Sequence, residues 1–151
     1  MIENDETRKR KAKALVIEDN SMWLKTITKL LKKEGYDVVQ VDSKDVARDI
    51  LGSDDERYQD FTLITLDLRL DEHKGGFEGM DLLGLTDRRW KEDGTSVIII
   101  TAYGWVEQAQ EAFKNFPQVY DFIPKSEPGV DFYNYFLKIV REITREYFKS
   151  E

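Results

Sequence analysis

Five short apolar runs alternate with longer segments of helical periodicity along the chain, and this alternation leaves few folds open to it. The runs are 14–17, 37–41, 61–66, 96–100 and 119–123. Strands that alternate with helices predict a doubly wound α/β fold, in which helices cover both faces of a parallel sheet. The first, third and fourth runs are continuously apolar, as expected of strands buried on both faces. The second and fifth contain more polar residues, so we expect them toward the sheet edges.

Five helices are predicted from apolar residues that recur at helical spacing. The helical segments are 21–34, 43–51, 80–85, 106–116 and 133–147. Gly35 follows the first of them, where a left-handed residue would end a helix. Asp131 precedes the last segment and is predicted as its N-cap. The apolar faces of the second, third and fourth helices are expected to include Val46, Leu85 and Phe113.

The size and charge of the chain restrict its class. A chain of 151 residues is the length of one domain, and it can bury one core without disulfides or structural metals. Cysteine is absent, which excludes disulfides, thiolate metal sites and cysteine nucleophiles. The formal charge of -7 argues against a general nucleic-acid binder. No apolar run approaches the roughly 20 residues of a membrane span, so we expect no membrane association and a cytoplasmic location.

The N-terminus is predicted to lie outside the folded domain. Residues 1–13 contain five basic side chains and little apolar content, so they are interpreted as a basic flexible tail. A nucleic-acid-binding arm is a weaker alternative for this tail. The domain itself is expected to span 14–149.

Polar residues stand at the carboxyl ends of four predicted strands, where open parallel sheets bind ligands. Glu18 and Asp19 follow the first run, Asp67 the third, Thr101 the fourth and Lys125 the fifth. Converging carboxylates repel one another unless a cation joins them, and an all-oxygen site suits Mg²⁺. Asp67 is then a candidate nucleophile toward a phosphoryl group, with the lysine and the threonine as partners of the phosphoryl oxygens. Each residue alone is more often a cap, a turn residue or a surface side chain, but their joint placement favours a site.

These residues lie in four strings that resemble the signature blocks of response-regulator receiver domains of two-component signalling. The strings are LVIEDN at 15–20, LITLDL at 63–68, IITA at 99–102 and FIPK at 122–125. The resemblance extends over most of the chain, from 14 to 149. It implies the flavodoxin-like receiver fold, a five-stranded parallel sheet in the order 2-1-3-4-5 flanked by five helices.

The resemblance also implies a phosphoacceptor and a metal site. Asp67 matches the aspartate that accepts a phosphoryl group from a sensor histidine kinase or a phosphotransfer protein. Glu18 and Asp19 match the acid pair that binds Mg²⁺ together with Asp67. Arg69 matches the position whose backbone carbonyl completes the metal site. Such a chain is a signalling phosphoprotein, not a classical enzyme, although it assists its own phosphorylation and dephosphorylation.

Further residues match the family's switch. Thr101 and Lys125 match the hydroxyl and the lysine that contact the phosphoryl group. Phe122 matches the aromatic residue whose rotamer is coupled to that threonine. The side chains of Arg69 and Tyr103 are expected to tune the lifetime of the phosphoryl group. Trp23, four residues after the acid pair, is interpreted as a packing residue.

The loop after Asp67 departs from the family pattern. Asp71 stands where receivers usually have a proline, and Gly75, Gly76 and Gly79 follow in a lengthened loop. Two functions are therefore open. One is a stand-alone phosphorylation switch, whose output is the binding of a downstream protein, or of a second copy, through the fourth helix, fifth strand and fifth helix. The other is an atypical receiver that acts as an interaction module without phosphorylation.

Overall fold

The computed structural model describes residues 11–70, 78–102, 106–125 and 130–149. In these ranges five strands alternate with five α-helices. The strands are β1 Lys13–Ile17, β2 Asp37–Val41, β3 Leu63–Leu66, β4 Ser96–Ala102 and β5 Val119–Lys125. The helices are α1 Ser21–Lys33, α2 Lys44–Leu51, α3 Glu78–Asp93, α4 Val106–Asn115 and α5 Val130–Lys149. A short 3-10 helix, Glu56–Tyr58, precedes β3.

The five strands form one parallel sheet in the order β2-β1-β3-β4-β5. This order confirms the predicted fold and places the two more polar strands at the edges. Ile17 of β1 pairs with Val41 and with Leu66, and Leu66 pairs in turn with Ile99. The carboxyl ends of the strands therefore lie along one edge of the sheet.

Two strands are longer than the sequence predicted. Strands β4 and β5 continue to pair as far as Ala102 and Lys125. Thr101 and Lys125, which we expected just beyond these strands, therefore lie inside them. Pro124 is accepted within β5 because an edge strand tolerates a residue that lacks an N–H group. Strand β3 is shorter than predicted and begins at Leu63.

Helices cover both faces of the sheet and enclose two hydrophobic cores. Helices α2, α3 and α4 cover one face, and their buried residues contact β1, β3 and β4; the core residues of these helices are Ala47, Ile50, Leu51, Leu82, Leu83, Ala109 and Ala112. Helices α1 and α5 cover the other face with a core rich in aromatic and branched side chains; among them are Trp23, Ile27, Leu31, Phe132, Phe136 and Val140. Val46, Leu85 and Phe113, expected on apolar faces, are instead exposed.

The helix ends follow the local sequence in part. The Asn20 side chain caps α1 by accepting a hydrogen bond from Trp23 N at 3.0 Å. Gly35 adopts a φ of 89°, as expected for the residue that ends a helix. Asp131 is not the N-cap of α5, because the helix already begins at Val130; it lies in the first turn. There its carboxylate still complements the helix dipole.

Part of the predicted basic tail belongs to the sheet and its core. Lys13, which we placed in the basic tail, is the first residue of β1 and pairs with Asp37 of β2. Ala12 is buried in the core beneath α1 and α5. Residues 1–10 of the predicted tail lie outside the described residues.

A fully buried arginine, Arg89 of α3, ties α3 to the end of α2 and to the connection before β3. Its guanidinium donates to the carbonyl oxygens of Ile50 at 2.8 Å, Leu51 at 3.1 Å and Ser53 at 3.2 Å. It also donates to Gln59 Oε1 at 2.9 Å and to the carbonyl oxygen of Tyr58. The last carbonyl groups of a helix have no partner within the helix, and Leu51 O, at the end of α2, accepts from Arg89 alone among the described residues.

Candidate functional site

Three acidic side chains converge at the carboxyl edge of the sheet. Glu18 and Asp19 follow β1, and Asp67 follows the neighbouring strand β3. One carboxylate oxygen from each of them lies within 4.8 Å of the other two. Glu18 and Asp67 are buried, and Asp19 is the most accessible of the three. The parallel sheet produces this cluster because adjacent strands end side by side.

Both carboxylate oxygens of Asp67 are engaged. Thr101 Oγ1 donates to Asp67 Oδ1 at 3.1 Å, and the backbone N–H of Arg69 donates to the same oxygen at 3.0 Å. Lys125 Nζ donates to Asp67 Oδ2 at 2.9 Å. The structure thus brings together Asp67, Thr101 and Lys125 from three adjacent strand ends, as the sequence predicted.

The Lys125 ammonium lies between two carboxylates. It is 2.9 Å from Asp67 Oδ2 and 2.8 Å from Glu18 Oε1, and the lysine side chain is only 13% exposed. Burial alone would lower the pKa of Lys125, but Asp67 and Glu18 together raise it above its usual value. Burial and the charge of Asp67 raise the pKa of Glu18 to about 8, against the opposing effect of Lys125.

The donor set fits a divalent cation. Oε1 of Glu18 is buried, and the ammonium that lies 2.8 Å from it, that of Lys125, is shared with Asp67. Three carboxylates with a single ammonium nearby leave excess negative charge in the pocket. Oxygen ligands of this kind are those that Mg²⁺ prefers. Glu18, Asp19 and Asp67 could therefore hold such an ion.

The raised pKa of Glu18 predicts a pH dependence of stability for the metal-free protein. In the folded state Glu18 holds its proton up to about pH 8, whereas the ordinary pKa of a glutamate, which applies to the unfolded chain, is 4.5. The resulting stabilisation is complete below about pH 4.5 and is lost as the pH rises through 8. We expect the free energy of unfolding to fall over this range by about 1.4 kcal/mol for each pH unit.

Urea unfolding in the presence of EDTA at several pH values measures this effect. Glu18→Gln, which carries no titratable proton, should show a flatter profile between about pH 5 and pH 8. Identical slopes for the wild type and the variant would contradict the assignment.

The segment after Asp67 contacts the start of α3 very closely. A Cβ atom on Gly79 would lie 2.3 Å from Leu68 Cα and 2.5 Å from the carbonyl oxygen of Asp67. Gly79, which we placed in the lengthened loop, is thus a residue of α3 that requires the absence of a side chain. Asp71, Gly75 and Gly76 of that loop lie outside the described residues.

Gly79→Ala is expected to lower the free energy of unfolding by about 2 kcal/mol, because backbone must move to admit the methyl group. Gly84 is the matched control in the same helix, since a Cβ atom there would meet nothing within 4 Å. Gly84→Ala should stabilise the protein by roughly 0.5–1 kcal/mol, the usual helix preference for alanine. Urea unfolding of both variants tests the pair, and effects of the same sign would contradict the close approach.

Phe122 lies on β5 at the face of the sheet that α4 covers. It packs against the core under α2, α3 and α4, and its ring contacts Phe113 of α4 edge-on at 6.0 Å between centroids. Thr101 stands two residues after Ile99, a residue of the same core, and so faces the same side of the sheet. Tyr103, expected to tune the phosphoryl lifetime, lies outside the described residues.

Two further residues contact the site, although the sequence did not predict them as site residues. The backbone N–H of Asn20 donates to Glu18 Oε2 at 3.0 Å, so the cap of α1 also orients an acid of the pocket. The Trp23 ring faces the Lys125 ammonium, with Nζ 5.7 Å from the ring centroid. The capping role of Asn20 could have been predicted, because an asparagine just before a segment of helical periodicity is a typical N-cap. Nothing local in the sequence indicates the contact between Trp23 and Lys125.

Comparison with known proteins shows the family. The sequence model of the response regulator receiver domain matches residues 14–134. The chain therefore belongs to the response-regulator receiver family, a family of signalling domains. The response regulator protein FleR of Pseudomonas aeruginosa is 31% identical to the chain over 103 residues. These residues are 68% of this chain and 20% of FleR, so the chain spans about a fifth of that relative's length.

Solved structures show the same fold. A CheY-like receiver domain protein from Methanospirillum hungatei shares 20% identity with a TM-score of 0.67, over 94% of this chain and 100% of that chain. The response regulator TrrA from Thermotoga maritima, solved in complex with Mg²⁺-BeF, shares 17% identity with a TM-score of 0.60. That match covers 85% of this chain and 98% of TrrA. In the described part of the chain, no helix combines the length and the apolar character needed to cross a membrane.

Proposed function

We propose that the chain is a cytoplasmic phosphorylation switch that accepts a phosphoryl group on Asp67. The donor is a sensor histidine kinase or a phosphotransfer protein, and the output is the binding of another protein. The observation that carries this proposal is the placement of Asp67 between Thr101 Oγ1 and Lys125 Nζ, at 3.1 Å and 2.9 Å, beside the acid pair. A hydroxyl and an ammonium on a buried carboxylate supply the charge and the donors that phosphoryl oxygens require.

The transfer forms one bond and breaks one bond. A carboxylate oxygen of Asp67 attacks the phosphorus of a phosphohistidine, the P–N bond breaks, and the imidazole leaves with the bonding electron pair and takes up a proton. The product is an acyl phosphate.

Magnesium is the cofactor that this site suits. Glu18, Asp19 and Asp67 would hold the ion, and the backbone carbonyl of Arg69 is a further ligand by family resemblance. When bound, the ion neutralises charge that develops on the phosphoryl oxygens. TrrA, which has the same fold, was solved with Mg²⁺-BeF, and this supports the assignment.

The switch is proposed to connect Asp67 to the surface of α4, β5 and α5. Thr101 and Phe122 would bias two conformations of this region, and a downstream protein or a second copy would bind one of them preferentially. Phe113 of α4 and Tyr135 of α5 are exposed aromatic residues on these elements and could contribute to such an interface. Arg69 and Tyr103 are proposed to set the phosphoryl lifetime.

Mass spectrometry after incubation with Mg²⁺ and acetyl phosphate tests the acceptor. The wild type should gain the mass of one phosphoryl group, and Asp67→Asn should gain none. Asp81→Asn is the matched control, because Asp81 is an exposed carboxylate that also pairs with a lysine, Lys44, and it should gain the group like the wild type. EDTA should abolish the gain.

A failure of this experiment would favour the other function. If the wild type takes up no phosphoryl group from acetyl phosphate or from phosphorylated donor proteins, the chain acts as a phosphorylation-independent interaction module. Uptake that persists in Asp67→Asn would instead show that the acceptor is misassigned.

A further inference from the structure

The indole of Trp23 forms one wall of the pocket around the Lys125 ammonium. Nζ of Lys125 lies 5.7 Å from the centroid of the ring, within the range of a cation–π interaction. Trp23 is only 6% exposed, so the ring also separates this side of the ammonium from water. The two carboxylates of Glu18 and Asp67 occupy other sides of the same ammonium.

Trp23 is held in place through both its backbone and its ring. Its backbone N–H donates to the capping Asn20 side chain at 3.0 Å, and Asn20 N in turn donates to Glu18 Oε2 at 3.0 Å. Its ring packs edge-on against Phe132 of α5, with centroids 4.9 Å apart. Phe132 is itself stacked on Phe136 at 5.6 Å. The ring therefore has little freedom to turn away from Lys125.

These contacts form a closed cycle of four residues around the site. Glu18 contacts Asn20, Asn20 contacts Trp23, Trp23 contacts Lys125, and Lys125 returns to Glu18. A lysine carries its charge on a flexible four-carbon stem, so its ammonium needs neighbours that define its position. The carboxylates attract the ammonium, and the indole forms a rigid apolar wall that limits its movement away from them.

We propose that Trp23 is a positioning residue that holds the Lys125 ammonium over Asp67. The consequence for phosphoryl transfer rests on the proposed function, because it assumes that Lys125 contacts a phosphoryl oxygen. Without the indole, the ammonium would gain water and rotamer freedom, and it would meet the incoming phosphoryl group less often. A ring at position 23 is required for this effect, and mere bulk is not enough.

Nuclear magnetic resonance of the protein with ¹³C-labelled lysine tests the contact without any phosphoryl donor. Protons above an aromatic face resonate upfield, so the ε-methylene signal of Lys125 should lie upfield of the other lysines. The signal is assigned by its loss in Lys125→Arg. It should return to the ordinary lysine position in Trp23→Leu and stay displaced in Trp23→Phe. Trp90→Leu, which removes an indole from α3, should leave it unchanged.

The rate of phosphorylation by acetyl phosphate with Mg²⁺ tests the consequence. Trp23→Leu loses the desolvated cation–π contact, so its phosphorylation should be about tenfold slower than that of the wild type at low donor concentration. Trp23→Phe retains an aromatic ring at this position, so its rate should stay within about threefold of the wild type. Trp90→Leu should match the wild type. A role in packing alone would slow both Trp23 variants equally or neither.

The two measurements separate the outcomes. An undisplaced Lys125 signal in the wild type, or one that Trp23→Leu does not move, overturns the inference whatever the rates show. Equal rates for the wild type and Trp23→Leu overturn it as well. If the wild type takes up no phosphoryl group while the Lys125 signal behaves as expected, the proposed function fails and the positioning of Lys125 by Trp23 stands.

Discussion

Arg89→Met is expected to lower the free energy of unfolding by about 3–5 kcal/mol, the usual cost of removing one partner from a buried ionic or hydrogen-bonded network. The methionine roughly fills the volume of the arginine stem but donates no hydrogen bonds. The carbonyl groups of Leu51 and Tyr58 and Oε1 of Gln59 would then lose their donor, whereas Ile50 O keeps the N–H of Ser53 and Ser53 O keeps Nε2 of Gln59. Each such group costs about 1–3 kcal/mol when left unsatisfied, and local rearrangement with entry of water recovers part of the sum.

Arg88 is a matched control for Arg89. It is the preceding residue of the same helix, its side chain is 40% exposed, and its ion pairs with Asp54 and Glu92 are long, at 3.6 Å and 3.7 Å. Arg88→Met should therefore change stability by no more than about 1 kcal/mol. Urea denaturation followed by circular dichroism measures both variants. A loss below 1 kcal/mol for Arg89→Met would show that the guanidinium is not the group that satisfies these carbonyls.

Lys125→Met is expected to destabilise the protein in a pH-dependent manner. The variant leaves the buried carboxylates of Glu18 and Asp67 without their shared cation. At about pH 9, above the pKa of Glu18 in the wild type, we expect a loss of roughly 3 kcal/mol, because the buried pocket has lost its cation. Lys125 lowers the pKa of Glu18, so this pKa lies above about 8 in the variant. The variant therefore takes up a proton on Glu18 as the pH falls toward 8, and the loss should shrink. The difference from the wild type is therefore largest in alkaline solution.

Lys44 provides the control for this variant. Its side chain is 18% exposed, similar to that of Lys125, but its partner Asp81 is an exposed carboxylate at 2.9 Å. Lys44→Met should cost less than about 1 kcal/mol at every pH, because Asp81 remains hydrated. Unfolding curves in EDTA at about pH 5 and pH 9 compare the two. A pH-independent loss for Lys125→Met would show that the lysine stabilises the fold by packing and not by charge.

The fold and the composition of the site were predictable because both depend on the order of strands and helices. Continuous apolar runs identified the central strands, and the parallel arrangement dictated that Glu18, Asp67 and Lys125 would meet at one edge. The ends of β4 and β5 were not predictable. Thr101 and Pro124 look like turn residues locally, but pairing between the two strands keeps them in the sheet.

Contacts between elements that are distant in the chain could not be predicted from the sequence either. Arg89 stands beside Arg88 in the sequence, and no local pattern distinguishes the buried arginine from the half-exposed one. Its burial depends on where α2 ends relative to α3. Trp23 presents the same difficulty, since a tryptophan on the apolar side of a helix is interpreted as a core residue. Its contact with Lys125 depends on how α1 and β5 meet at the edge of the sheet.

The backbone of the pocket is fixed by the sheet, although the acids stand just past the ends of their strands. Thr101 and Lys125 belong to the hydrogen-bonded ladder of β4 and β5. The backbone N–H groups of Glu18 and Asp67 extend this ladder on the other strands, because they donate to the carbonyl oxygens of Val41 at 2.9 Å and Ile17 at 3.1 Å. Adaptation to ions of different radius should accordingly come from rotation of the side chains, while the spacing between the strand ends stays constant.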